Sequence, residues 1–191
     1  MSASTAAPSR ARILDAALAL MSEHGVAGTS MRMLAGECGL NVATLYHHFP
    51  SKAELLVAVL ADRAYETQLA TAQPPPNVTE AADPRTRLRR LVVWLAWAAH
   101  QEDAVIRLLI GESLRGEPAA RDAADRLVNG IDDAVIRWLD RFVPELGERI
   151  AAVAGLVRAL LLSLIVERVV LGSDDARTRA RVDDLVAVAL P

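Results

Sequence analysis

The stretch Asn41-Val42-Ala43-Thr44-Leu45-Tyr46-His47-His48-Phe49-Pro50-Ser51-Lys52 decides the fold of this chain. Asn41 is a good N-cap for a helix, and the Phe49-Pro50 pair breaks that helix. If Leu45 and Phe49 face inward, Tyr46 and His47 point outward, because adjacent helix positions differ by about 100°. Ser51 then opens a new helix as a capping box with Glu54, beside Lys52, the only lysine in the sequence. The stretch therefore predicts a short helix that presents polar side chains, followed at once by another helix.

Two helices precede this stretch at close spacing. The first is predicted from residue 10 to His24, with Gly25 closing it. Thr29 or Ser30 caps the second, whose apolar stripe is Met31, Leu34, Ala35 and Cys38. Gly39 ends that helix, and a turn of three to four residues containing glycine leads to the next. Two short helices joined in this way form the helix-turn-helix layout.

The rest of the chain also reads as helix. Apolar residues make up 52% of the 191, enough for a core, while aromatic residues are only 4% and no run of alternating β-branched residues is present. Pro74-Pro75-Pro76 is the clearest linker. We predict an all-α fold of about nine helices, with a three-helix N-terminal domain at residues 10–56 and a larger helical bundle at residues 57–191.

The segment Ile150 to Leu171 is apolar on nearly all sides. A helix of that kind must be buried all round, so one side is expected to pack on its own chain and the other on a second chain. Arg158, Glu167 and Arg168 interrupt the segment, and charges near the centre of a membrane span cost about 2.5–3.5 kcal/mol each on insertion scales. We therefore reject a membrane helix. With no visible signal peptide and a single cysteine, the expected location is the cytoplasm.

The motifs Gly28-Thr29-Ser30-Met31-Arg32-Met33-Leu34-Ala35, Gly39 to Phe49 and Ser51-Lys52-Ala53-Glu54-Leu55-Leu56 resemble the N-terminal domain of TetR-type transcriptional regulators. The order, the spacing and the Thr-Leu-Tyr-x-His-Phe core all match over residues 10–60, whereas residues 61–191 match only in helix count and length. The resemblance implies a homodimer in which three N-terminal helices bind a palindromic DNA operator. A small-molecule effector would bind the larger domain, and the last two helices of each subunit would form a four-helix interface.

The helix that begins near Asn41 would then lie in the major groove. Its apolar Val42 and Ala43 can contact a thymine methyl, and Thr44 can add a hydrogen bond. By resemblance, Tyr46 and His48 reach phosphate, and Tyr46 or His47 touches bases. Lys52 is expected at a phosphate beside a helix N-terminus. On the preceding helix, Arg32 matches a position that can read guanine, and Ser30 completes the expected DNA-binding set.

The charge of this domain departs from a typical nucleic-acid binder. Residues 1–63 hold five basic and five acidic residues, a net charge of zero. Many relatives carry Ser-Lys-Gly where this chain has Asn41-Val42-Ala43, so the usual lysine is missing. We therefore expect a shallow dependence of DNA binding on salt, since the slope scales with the number of neutralised phosphates.

Candidate residues for the other two surfaces follow from helical spacing. Trp94, Trp97 and His100 share one helix face, which can be core packing or the wall of a ligand pocket. Further pocket candidates are Arg107, Glu112 and Trp138, and scarce charge on these helices favours an apolar or aromatic effector. The expected dimer interface comprises Gly155, Arg158, Leu162, Ile165, Val182, Leu185 and Val186.

Three alternatives are weaker. The adjacent His47 and His48 diverge on a helix and lack a third ligand, so we expect no metal site and no cofactor. An enzyme would need a nucleophile–base pair or a carboxylate–histidine cluster, and four scattered histidines offer neither. The near-neutral N-terminal domain leaves one rival open, a dimeric helical adaptor with weak or lost DNA binding.

Overall fold

The computed structural model describes residues 10–63, 68–69, 71–172 and 175–191. Within these ranges the chain is all-α, with ten α-helices, one 3₁₀ helix and no strand. The α-helices are α1 Arg10–Gly28, α2 Met31–Cys38, α3 Val42–His48, α4 Lys52–Asp62, α5 Pro76–Thr79, α6 Pro84–Gln101, α7 Asp103–Leu114, α8 Pro118–Phe142, α9 Ile150–Leu171 and α10 Asp175–Ala189, and the 3₁₀ helix is Pro144–Arg149. The predicted fold class is confirmed.

One helix beyond the expected nine arises inside the proline linker. Pro76 occupies the first turn of α5, where a missing amide hydrogen costs nothing because that amide has no partner in a helix anyway. Val78 is buried in the neighbouring core and anchors this single turn. The proline run therefore ends in a helical turn rather than in open coil.

The predicted helix starts are confirmed by their hydrogen bonds. The side chain of Ser30 accepts from the Met33 amide, and that of Asn41 accepts from the Ala43 amide. Ser51 caps α4 in the same way, and a cap of this kind is also present at Asp83, at the start of α6. Each cap binds one of the amides that a helix start leaves without an intrahelical partner.

The described residues fall into two compact units. The first unit unites residues 10–63 with 104–125, and the second unites residues 68–103 with 126–191. The sequence was expected to divide once, into residues 10–56 and 57–191. In the structure, α7 and the start of α8 group with the unit that holds the helix-turn-helix, and the predicted domain boundary stays a prediction.

The described part of the second unit has a hydrophobic core built mainly by α6, α8, α9 and α10, with α5 and the 3₁₀ helix each contributing one side chain. Leu88 and Leu91 of α6, Leu139 of α8 and Val157 of α9 are almost completely buried there, and Val182 of α10 joins them. Because three of these side chains are leucines and all are fully desolvated, this core carries much of the stability of the unit.

One segment, Pro144–Arg168, is long and apolar enough by length and composition to cross a membrane, with a mean hydropathy of 2.1. One such helix is weak evidence, since the core helix of a soluble protein passes the same test. In this chain, Val153, Val157 and Leu161 of α9 are buried in the core of the second unit. Leu156, Leu162 and Val166 on the other side of α9 are exposed.

Candidate nucleic-acid interface

The turn between α2 and α3 is held by backbone geometry. Gly39 adopts a left-handed conformation at φ 65°, which glycine accepts without steric cost. The Leu40 amide then donates to the carbonyl of Ala35 at 2.8 Å, closing the end of α2. Asn41 follows directly and caps α3. The two helices therefore meet through a tight, hydrogen-bonded turn.

The two faces of α3 differ in character. Leu45 and the adjoining Phe49 are buried, while Val42 is half-buried. The exposed residues of this helix are Ala43, Thr44, Tyr46, His47 and His48. Arg32 is exposed on α2. The structure thus brings most of the expected DNA-contacting side chains to solvent on two consecutive short helices.

Ser30 is exposed, but its hydroxyl oxygen already accepts the Met33 amide hydrogen at 3.1 Å. Its visible role is to start α2. The hydroxyl hydrogen is left to donate, and one lone pair of the oxygen is left to accept at a DNA surface.

Lys52 is placed differently from the expectation. Its Nζ donates to the backbone carbonyls of Ala27 at 3.2 Å and Thr29 at 3.0 Å. Carbonyls at a helix C-terminus lack intrahelical partners and carry partial negative charge, so an ammonium group binds there favourably. Lys52 therefore connects the start of α4 to the end of α1 through these two hydrogen bonds. The sequence suggested a phosphate contact for the same side chain.

Arg10 was not among the sequence candidates. It is exposed in the first turn of α1, and its guanidinium carbon lies 5.1 Å from the centre of the Phe49 ring. This cation–π contact places a positive charge beside the C-terminal end of α3. The contact joins residues far apart in sequence, and no motif marks it.

The junction of α1 and α2 contains a break at Gly25, whose φ is 70° and ψ is 165°. Thr29 is almost completely buried, and both its amide and its hydroxyl donate to the Gly25 carbonyl. The amide of Val26 donates to Oε1 of Glu112 at 3.0 Å. Gly25 was expected to close the first helix, and it does interrupt it, although helical turns resume as far as Gly28.

Glu112 is a buried carboxylate on α7, 5% exposed, and it also pairs with Arg115 at 2.9 Å. A Cβ at Gly25 would lie 3.3 Å from its Oε1, so glycine there suits both the backbone conformation and the close carboxylate. Glu112 does not line the cavity that lies between α6, α9 and α10 in the second unit, and its predicted role in ligand binding stays a prediction. Its hydrogen-bond partner lies 86 residues away in the sequence, so helical spacing could not reveal it.

A cavity of about 390 Å³ lies in the second unit between α6, α9 and the start of α10. Two of the six expected ligand residues, Trp97 and His100, line it. Trp138 is buried in the core instead, where its Nε1 donates to the Ala72 carbonyl and its ring meets that of Trp94 edge-on. Arg107 is exposed in the first unit, like Glu112 away from this cavity.

The residues expected at the dimer interface fall into two groups. Ile165, Val182, Leu185 and Val186 are buried within their own chain, so the structure places them in the core and not on a partner surface. Leu162 is exposed, Gly155 is half-buried, and Arg158 pairs with Asp132 of α8. The predicted apolar stripe of α10 is buried in the core of its own chain, and the predicted dimer interface stays a prediction.

Cys38 is half-buried, and burial raises the pKa of its thiol, with Arg12 acting in the opposite direction. A thiol with a raised pKa is a poorer nucleophile at neutral pH. Across the described part of the chain, no group of three His, Cys, Asp or Glu side chains could hold a metal ion.

The sequence around the helix-turn-helix matches a known protein family. Residues 13–59 match the family model of bacterial regulatory proteins of the tetR family. The HTH-type transcriptional repressor KstR of Rhodococcus jostii is 29% identical over 82% of this chain and 71% of its own length. The HTH-type transcriptional regulator UidR of Escherichia coli K12 is 31% identical over 60% of this chain and 57% of its own.

Among solved structures, a protein from Saccharomonospora viridis in complex with choline aligns with a TM-score of 0.65 and 26% identity. The alignment covers 93% of this chain and 95% of that one. Residues 13–59, which contain the helix-turn-helix, therefore match bacterial regulatory proteins of the tetR family, and the chain is similar in fold to the Saccharomonospora viridis regulator.

Proposed function

We propose that this protein is a ligand-responsive repressor that binds a palindromic operator as a homodimer and releases it when a small molecule binds the second unit. The observation that carries the proposal is the outward face of α3. Thr44, Tyr46 and His47 are exposed on a helix whose opposite side is buried through Leu45 and Phe49. A helix presented in this way can enter the major groove with its polar side chains at base edges.

Operator binding would use few charges. Arg63 pairs with Asp15 at 2.6 Å, and Lys52 donates to backbone carbonyls. Arg10, Arg12 and Arg32 are exposed on α1 and α2, and this exposure makes them the cations best placed for DNA. Phosphate contacts position a protein on DNA, whereas base contacts specify the sequence. We therefore expect specificity to come mainly from the side chains of α3 and from Arg32.

Dimerisation would cover the apolar outer side of α9. Leu156, Leu162, Val166 and Val170 are exposed along this helix, and Val188 is exposed on α10. Contiguous exposed apolar surface of this kind marks interaction sites. A second copy that covers it would set the spacing of the two α3 helices, which must match successive major grooves about 34–36 Å apart.

The dimer proposal is tested with the double change Leu156→Glu and Val166→Glu. Two carboxylates on the outer side of α9 should shift sedimentation from dimer to monomer and abolish operator binding, while the helical circular dichroism remains. Leu114→Glu, an equally drastic change at an exposed leucine of α7, serves as the control and should remain dimeric. A double variant that stays dimeric would place the interface elsewhere.

The effector would be a small molecule with an apolar or aromatic body, held in the second unit. Ligand binding can release DNA only by the difference in its affinity for the DNA-bound and free geometries. A relative of the same fold was solved with a small molecule, choline, which supports ligand binding as such. A cytoplasmic location and the absence of catalytic activity follow as parts of the same proposal.

The decisive experiment is selection of genomic DNA fragments by the purified protein. We expect enrichment of a palindromic sequence, and we expect Tyr46→Ala and Thr44→Ala to lose it. Ala19→Ser, on the exposed side of α1, is the matched control and should retain it. If no sequence is enriched while the protein is a folded dimer, the adaptor reading replaces the repressor.

A further inference from the structure

The cavity of the second unit is lined by both apolar and charged residues. Ala96 and Trp97 of α6 and Leu164 of α9 are among the apolar ones, and Arg168, Arg177 and Arg179 are the cations. Its volume of about 390 Å³ lies within the usual range for small-molecule sites. The arrangement suits a molecule that is itself apolar at one end and charged at the other.

The sign of that charge follows from the lining. Among the described lining residues, three arginines stand against two carboxylates, Glu167 and Asp175, which is an excess of one positive charge. Oε1 of Glu167 accepts from Arg181 at 2.8 Å and from the Ser163 hydroxyl at 3.1 Å. Its Oε2 accepts no hydrogen bond from the described residues but lies 3.9 Å from Nη1 of Arg177. A cationic ligand would therefore compete with a guanidinium for this carboxylate.

Arg168 is committed to the fold and Arg179 is not. Arg168 pairs with Asp103 and donates to the Ala99 carbonyl. Among the described residues, the one contact of Arg179 is from Nε to the Asp175 carbonyl at 3.2 Å. Its two terminal amino groups are left for a ligand, and their planar geometry matches the two oxygens of a carboxylate.

Trp97 supplies the apolar counterpart. It is 59% exposed, whereas Trp94 is half-buried and Trp138 almost completely buried. An exposed indole loses its unfavourable hydration when an apolar body covers it. Trp97 therefore offers both binding energy and a fluorescent group that lines the cavity.

We propose that this cavity binds an amphipathic monoanion, with its apolar body against Trp97 and Leu164 and its carboxylate on Arg179. We further propose that this ligand is the effector, and this part rests on the proposed function. The inference adds an acidic group to the apolar effector expected from the sequence, because the sequence could not show that arginines of α10 meet the tryptophan face of α6.

The test compares three probes that share one tail and differ in head group: decanoate, 1-decanol and decyltrimethylammonium, all below the concentration at which micelles form. Binding to the full-length protein is followed by tryptophan fluorescence and by the shift in melting temperature. We expect decanoate to bind most tightly. Tightest binding of the cationic probe would overturn the proposal, as would equal binding of all three.

Variants locate the binding. Arg179→Gln should weaken decanoate about three- to fivefold, as expected for one exposed ion pair, and leave decanol unchanged. Trp97→Ala should weaken both. Arg85→Gln, an exposed arginine of α6 outside the cavity, should change neither. Decanoate binding that is insensitive to Arg179→Gln would refute the assigned carboxylate contact.

Operator release is measured separately from probe binding. If decanoate binds through Arg179 but leaves operator affinity unchanged, the chemistry of the cavity stands and the effector role fails. If the protein never binds an operator, the proposed function fails, and the three-probe comparison still decides the cavity proposal by itself.

Discussion

Lys52 can stabilise the fold through backbone carbonyls or bind a DNA phosphate, and the variant Lys52→Met separates these two roles. The structure shows its ammonium on the carbonyls of Ala27 and Thr29, half-buried at the junction of α1 and α2. Hydrogen bonds to charged groups contribute about 1.5–3 kcal/mol each, and partial exposure reduces this, so we expect a loss of about 1–2 kcal/mol in unfolding free energy. For a chain of this size that corresponds to a fall in melting temperature of roughly 3–6 °C.

The salt dependence of operator binding should, by contrast, not change. A lost phosphate contact lowers the slope of log K against log salt by about 0.9, or about 1.8 for a dimer. We expect Lys52→Met to leave the slope within about 0.5 of the wild-type value on this scale. The wild-type slope itself should not exceed about 5 per dimer, since at most Arg10, Arg12 and Arg32 reach phosphate in each subunit.

The assay is fluorescence anisotropy of the selected operator duplex over a series of potassium chloride concentrations, paired with thermal unfolding of each variant. Arg10→Gln is the matched control, because Arg10 is exposed beside Phe49. It should lower the slope by about 1.8 per dimer with little effect on melting. The reasoning is refuted if Lys52→Met lowers the slope by that amount with unchanged melting, or if the wild-type slope reaches eight.

Three further predictions follow from single contacts. Glu112→Ala should lower the free energy of unfolding by about 1–3 kcal/mol in chemical denaturation, because the Val26 amide loses its acceptor. Glu112→Gln keeps an acceptor oxygen and should lose less stability. Equal losses in the two variants would contradict this. Hydrogen bonds from Thr86 hold the pKa of the Asp83 carboxyl below its usual value, so the cap stabilises the fold above about pH 4 and loses this effect as the pH falls through the folded pKa. Asp83→Asn should remove that part of the acid-side decline in a pH series of denaturation curves, and an unchanged decline would exclude the cap as its source. Cys38, with its raised pKa, should react with iodoacetamide at neutral pH more slowly than free cysteine, and faster reaction would indicate an activated thiolate.

Local patterns predicted most of the helix-turn-helix. These features depend on residues within four positions of one another, so the sequence alone predicts them. They are the N-caps at Ser30, Asn41 and Ser51 and the left-handed Gly39. The alternation of buried Leu45 with exposed Thr44 and Tyr46 follows from the same short range.

The local sequence patterns did not predict contacts between residues that lie far apart in the sequence. Lys52 and Glu112 each bind backbone atoms, and a backbone amide or carbonyl carries no signature in the sequence. Val182 and Ile165 lie on apolar stripes, and a stripe predicts burial without saying whether its own chain or a partner covers it. The same limit applies to Trp138, whose indole is satisfied by the Ala72 carbonyl in the core.

The discontinuity of the first unit has a consequence for protein engineering. A chimera that grafts the DNA-reading half of this chain onto the sensor of a relative would normally be cut at the proline run. Such a cut removes Glu112 from the transplanted segment, so the Val26 amide at the break in α1 loses its hydrogen-bond acceptor. A transplant that carries residues 104–125 along with residues 10–63 should keep its operator affinity, while one that omits them should need a substitute acceptor at that junction.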